Sequence, residues 1–160
     1  MRDRPAQERP AAVPETARRA GENRSRWDWV EETVWTERML EALEQGVKGG
    51  RWYSLMDKIT REANLRAGFQ AVKARKGAPG VDHITIERFE EPLGENREKL
   101  ERQLREATYC PQANRRQWID KPGSREQRPL GIPTVRDRVA QTALKQGIEP
   151  IFERDFAEHS

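Results

Sequence analysis

The sequence predicts an α+β fold, mostly helical, with one basic β-hairpin. Three observations predict it. Apolar residues recur at helical spacing through much of 36–75 and 85–104. Residues 114–132 change to extended runs on either side of Pro122-Gly123-Ser124, and helical spacing returns after Thr134. The chain has 160 residues, close to one domain on a prior of roughly 100–200. Only 34% of them are hydrophobic and 36% are charged, so the core is expected to be thin and to lean on a partner or a following domain. No window approaches the roughly 18–20 apolar residues that a membrane-spanning helix requires. Cys110 is the single cysteine, which excludes an internal disulfide framework, and Met1-Arg2-Asp3-Arg4-Pro5 carries no apolar signal segment. A soluble protein of a reducing compartment is expected.

Residues 1–26 hold seven arginines against four acids, with three prolines and little to bury, and predict a disordered basic tail. Composition leaves open whether that tail is a solvated leader or attracts phosphate. Order is expected from Trp27. Thr36 precedes Met39, Leu40, Leu43 and Val47, a helical stripe that Gly49-Gly50 should end. Ser54 with Asp57 three residues on reads as a capping box for a helix carrying Leu55, Ile59 and Leu65, with a break expected at Asn64 or Gly68. The tryptophans at 27, 29, 35 and 52 read mainly as packing residues.

Lys76-Gly77-Ala78-Pro79-Gly80-Val81-Asp82 predicts a loop, because its glycines and proline demand turn geometry. No Gly-Lys-Ser/Thr follows, so it is not a nucleotide-binding P-loop. Thr85 caps a helix with Ile86 and Phe89, Pro92-Leu93-Gly94 interrupts it, and Leu100 and Leu104 mark another short amphipathic helix. Residues 114–121 and 127–132 form the hairpin, with Pro129 confined to an edge or bulge since it has no N–H to donate. Thr134 caps the last helix, with Asp137 read as a helix-start residue, and Ile148, Pro150, Ile151, Phe152 and Phe156 are expected to end the chain as an apolar cluster.

Residues 114–138 carry seven Lys or Arg and three Asp or Glu, a local net charge of +4 against +3 for the whole chain. Side chains alternate along a strand, so Arg115 and Lys121 share a face, as do Arg128 and Ile132. In a suitable register three cations and one apolar side chain converge, an arrangement that suits a polyphosphate or a nucleic-acid backbone. Spacing alone favours a solvated, charged hairpin and does not settle the matter. No Cys/His set has zinc spacing, since Cys110, His83 and His159 stand far apart, and no Gly-x-Ser-x-Gly elbow occurs. Asp82, Asp137 and Asp155 show no arrangement suited to two-metal phosphoryl chemistry.

The run Gln127-Arg128-Pro129-Leu130-Gly131-Ile132-Pro133-Thr134-Val135-Arg136-Asp137-Arg138, continued to Ile148-Glu149-Pro150-Ile151-Phe152, resembles the first reverse-transcriptase block of group II intron reverse transcriptase/maturases. Tyr109-Cys110-Pro111-Gln112, Arg115-Arg116 and Ile119-Asp120-Lys121-Pro122 extend the resemblance backwards, and the loop at 76–82 is similar to the family's N-terminal extension loop. The resemblance covers roughly 27–160. It implies an N-terminal extension over 27–84 and the start of the fingers of a right-hand polymerase over 85–160. Palm and thumb would lie beyond Ser160, together with the aspartates that hold Mg2+. The implied function is RNA-templated DNA synthesis coupled to intron splicing and mobility.

By that resemblance Arg115, Lys121 and Arg128 contact the incoming dNTP triphosphate and Ile132 packs on the templating base pair. Lys76, Gly77, Ala78, Pro79, Gly80 and Arg116 face template RNA. The implied partners are intron RNA, a template RNA with DNA primer, and dNTP, with no membrane and with a homodimer expected of the full-length protein. The implied location is the cytoplasm, in nucleoid or ribonucleoprotein particles. Asp120 stands where the family has proline, which sets an acid beside Lys121. A unit charge at about 4 Å costs on the order of 1 kcal/mol in water, so nucleotide binding is expected to be weakened rather than abolished. His83 stands where the family usually has glycine. Rival expectations are a noncatalytic RNA-binding fragment and a decayed gene product.

Overall fold

The computed structural model describes residues 26–46, 51–52 and 54–157. The elements are α1 (Glu37–Gln45), α2 (Leu55–Ile59), α3 (Glu62–Arg75), α4 (Ile86–Glu90), α5 (Leu93–Arg105), β1 (Arg115–Asp120), β2 (Gln127–Ile132) and α6 (Val135–Ala157). Helices surround α6, and β1 and β2 pair antiparallel as a two-stranded sheet that stands between α5 and α6 in the chain. The α+β class, predominantly helical with one hairpin, is the one expected. The basic tail expected over 1–26 lies outside the described residues, Arg26 excepted.

Two clusters form the core. Leu65, Phe69 and Val72 of α3 pack with Ile86, Phe89 and Leu100 against Val135, Val139 and Ala143 of α6. Complete burial of a side chain such as Leu65 or Phe69 is worth about 1.5–3 kcal/mol. Trp27, Val34, Trp35, Leu40 and Leu43 form the second cluster, against which Trp52 and Ile151 are packed. Trp27 and Trp35 are thus core, as expected of most of the tryptophans, whereas Trp29 is exposed. The close crossing of α3 and α6 depends on Gly68, where a Cβ would come within 3.3 Å of the Val139 carbonyl and 3.4 Å of the Ala143 nitrogen.

Several local expectations are corrected. Helix α1 ends at Gln45 with Gly46 at φ 94, ahead of Gly49-Gly50, which with Val47 lie outside the described residues. Ser54 makes no side-chain cap and has φ 60, whereas a capping serine adopts extended backbone. The break expected at Asn64 or Gly68 falls at Thr60-Arg61. Both residues sit inside α3, where the buried Asn64 amide donates to the Ile59 carbonyl at 2.8 Å and to the Ala143 carbonyl at 3.1 Å. Helix α5 starts at Leu93 and runs 13 residues, longer than the short helix expected. Thr85 and Thr134 do cap as expected, accepting from the Arg88 and Asp137 amides.

The end of the chain departs most. Helix α6 continues through Pro150 to Ala157; of the apolar residues expected to cluster there, Pro150 is buried and Ile151 packs on the second core, whereas Phe152 and Phe156 stack on each other and are 52% and 62% exposed. Proline removes the N–H that would serve the carbonyl four residues earlier, which here is that of Gln146. The Trp35 indole fills the gap, donating from Nε1 to the Gln146 carbonyl at 2.9 Å. The helix is thereby completed by a side chain from the second core. No helix among the described residues is long and apolar enough to cross a membrane.

Candidate nucleic-acid interface

The hairpin grows from a fixed root. Asp137, in the first turn of α6, is 1% exposed. Its amide is held by Thr134 Oγ1 at 3.1 Å, so its carboxylate is free to reach across to the segment that enters β1. Oδ1 accepts from the Tyr109 hydroxyl and Oδ2 accepts from the Gln112 amide at 3.0 Å. Arg136 adds a second tie, donating to the Cys110 carbonyl at 2.7 Å while its guanidinium lies over the Tyr109 ring at 5.1 Å from the centroid. Burial, followed by the Asp137 carboxylate that the phenol donates to, pushes the Tyr109 hydroxyl above its ordinary pKa near 10. Tyr109 is therefore a neutral donor throughout the physiological range.

The register then decides which side chains meet. Arg115 stands opposite Ile132, Gln117 opposite Leu130 and Ile119 opposite Arg128. Alternation puts these six on one face and leaves Arg116, Trp118 and Asp120 with Gln127, Pro129 and Gly131 on the other. Three of the four residues expected to converge, Arg115, Arg128 and Ile132, thus share a face. Lys121 follows β1 directly, with its amide donating to the Glu126 carbonyl at 2.9 Å, and its ammonium lies 2.6 Å from the Glu126 carboxylate. That ion pair is exposed and worth roughly 0–1 kcal/mol, so it competes weakly with any multivalent anion. Asp120 lies on the opposite face, where Gln127 Nε2 donates to it at 3.0 Å.

The glycine-rich loop is fastened beside the same root. A Cβ on Gly80 would sit 2.6 Å from Thr134 Cα and 2.7 Å from its nitrogen, so glycine is required for the loop backbone to lie against the start of α6. Arg138 donates to the carbonyls of Lys76 at 3.3 Å and Ala78 at 3.0 Å. Burial lowers the Arg138 pKa, with Asp82 opposing the shift. Lys76, Gly77 and Ala78 are exposed, while Pro79 is half-buried and Gly80 is buried. Of the six residues expected to face RNA, Arg116 stands apart from the other five, on the exposed outer face of the hairpin.

Arg115, Arg116 and Arg128 form no ion pair among the described residues, and the Arg115 Nε is buried without a hydrogen-bond partner. An unpaired guanidinium can bind phosphate oxygens bidentately, although the buried Nε of Arg115 is itself out of reach of a ligand. Among the described residues no group of three or more His, Cys, Asp or Glu is placed to hold a metal ion. The sequence did not reveal the positioning roles of Tyr109, Arg136 and Arg138. Reading Asp137 as a helix-start residue accounted for its amide but not for its carboxylate, whose partners are set by the tertiary fold.

No family model matches the sequence. Protein YkfC of Escherichia coli strain K12 is 36% identical over 104 residues, which cover 64% of this chain and 27% of that protein. The group II intron-encoded protein LtrA of Lactococcus lactis subsp. cremoris is 37% identical over 94 residues, 58% of this chain. The match spans only 15% of LtrA. Over that part of its length, the chain is related to a group II intron-encoded protein.

Proposed function

We propose that this chain forms the template-facing extension and fingers of a group II intron reverse transcriptase/maturase. In this reading the hairpin face of Arg115, Lys121, Arg128 and Ile132 receives the triphosphate of the incoming dNTP and the base pair it joins. The loop at 76–80 and Arg116 take template RNA. The observation that carries the reading is the hairpin register, which groups Arg115, Arg128 and Ile132 on one face of a segment with a net charge of +4. The partial similarity to LtrA supplies the context of an intron-encoded protein. Primer, splicing, mobility, a homodimer and a cytoplasmic ribonucleoprotein location belong to the longer protein as part of the same proposal. Mg2+ would supply charge neutralisation to phosphoryl transfer, but the described residues do not make a site for it, so its ligands are assigned to the rest of that protein.

The chemistry these residues can perform is binding and orientation. Two guanidiniums on one side of the hairpin, with the Lys121 ammonium just beyond β1, can neutralise phosphate charge, and the half-buried Ile132 beside the root can supply an apolar surface for a base pair. Binding of single-stranded RNA by the loop at 76–80 and Arg116 should weaken as salt rises, with log K falling by roughly 0.7 per neutralised phosphate for each unit of log salt. The double variant Lys76→Ala/Arg116→Ala, which removes the two cations assigned to template RNA, should bind more weakly at low salt and show a slope smaller by about 1–2. Fluorescence anisotropy across a salt series checks this. Salt-insensitive binding, or an unchanged slope in the variant, would remove the basis of the proposal.

A further inference from the structure

The outer face of the hairpin carries a feature that neither the triphosphate face nor the loop uses. Trp118 is 54% exposed at the centre of β1, opposite Pro129. Exposing about half of an indole forgoes a large hydrophobic gain, and the other tryptophans of the described chain except Trp29 are buried or half-buried. On the same face, two residues earlier, Arg116 is exposed and has no ion pair among the described residues, and the residue opposite it is Gly131. A rigid proline ring lies across from the indole, and the root described above fixes the hairpin to α6. We propose that Trp118 is a stacking platform for an unpaired base of single-stranded RNA, whose phosphate is held by Arg116. This rests on the reading of the chain as an RNA-binding protein and adds to it a base-contacting surface on the face away from Arg115 and Arg128.

Single-stranded nucleic acid is favoured as the occupant because the site pairs an aromatic face with the Arg116 cation, while Asp120 on the same face is engaged by Gln127 Nε2, inside a segment of net charge +4. Stacking is indifferent to base identity and adds to backbone attraction, typically at about 1–3 kcal/mol per base. A protein segment seated on Trp118 would need apolar neighbours, but the positions around it are Arg116, Asp120, Gln127, Pro129 and Gly131.

The test uses the full chain, a short fluorescent oligouridine, and inorganic polyphosphate as a ligand with charge and no bases. Trp118→Ala should weaken oligouridine binding roughly tenfold, in keeping with the loss of one stacked base, and leave polyphosphate binding unchanged. Trp118→Phe should retain most of the RNA affinity, and a thermal melt of each variant reports on folding. Equal RNA affinity in Trp118→Ala and the unaltered chain would overturn this inference alone. So would a parallel loss for both ligands, because Trp118 would then act through the fold or through charge. Absence of any salt-dependent RNA binding by the unaltered chain would overturn both this inference and the function it rests on.

Discussion

Replacing Asp137 with alanine should lower the stability of the chain by about 3–5 kcal/mol, a large part of the roughly 5–15 kcal/mol that holds a domain of this size together. The carboxylate accepts from the Tyr109 hydroxyl and the Gln112 amide, and hydrogen bonds to an ionised acceptor are worth about 1.5–3 kcal/mol each. Alanine leaves both donors without a partner at a position that is 1% exposed. The helix cap itself survives, because it uses the amide of residue 137 and not its side chain. Urea unfolding followed by circular dichroism measures the effect, and a loss below about 1 kcal/mol would show that the carboxylate does not anchor the hairpin root. The same variant should loosen the hairpin relative to α6 before global unfolding, visible as faster amide exchange across β1 and β2.

Gly80→Ala is the second large effect expected. Its Cβ would meet the Thr134 backbone, with Cα at 2.6 Å and nitrogen at 2.7 Å, and a backbone cannot yield as the tip of a side chain can. Either the loop or the start of α6 must move. The loop is the weaker partner, since it has no regular structure and its ties include the two bonds from Arg138. Overpacking of this kind costs about 1–3 kcal/mol. The loop at 76–80 should detach, giving faster proteolysis after Lys76 while α3 and α6 remain folded. Gly94→Ala is the matched control, because nothing lies within 4 Å of a Cβ there. Equal stability and equal proteolysis in the Gly80 and Gly94 variants would contradict the packing described.

These two positions also mark where the sequence stopped being informative. The strands were legible to within one residue at each end of β1, because the alternation and the turn residues at 122–124 are local signals. The caps at Thr85 and Thr134 were legible for the same reason. Asn64 looked like a helix breaker because its partner, the Ala143 carbonyl, is 79 residues away. The continuation of the helix through Pro150 was not legible either, because the indole that satisfies the freed Gln146 carbonyl comes from 111 residues earlier. Of the candidate site, the shared face of Arg115, Arg128 and Ile132 followed from period and register. The loop's attachment to Arg138 and the exposure of Trp118 did not, since both depend on which surfaces the helices leave open.

The most direct test of nucleic-acid binding on this hairpin is a titration of the isotopically labelled chain with single-stranded RNA at low salt, followed through backbone amide shifts. The shifts should concentrate in 114–132, with a second group at 76–80 and little change along α1 or the outer face of α5. Shifts centred on α1 or α5 with the hairpin silent, or no shifts at any RNA concentration, would contradict the assignment of the basic hairpin as the interface.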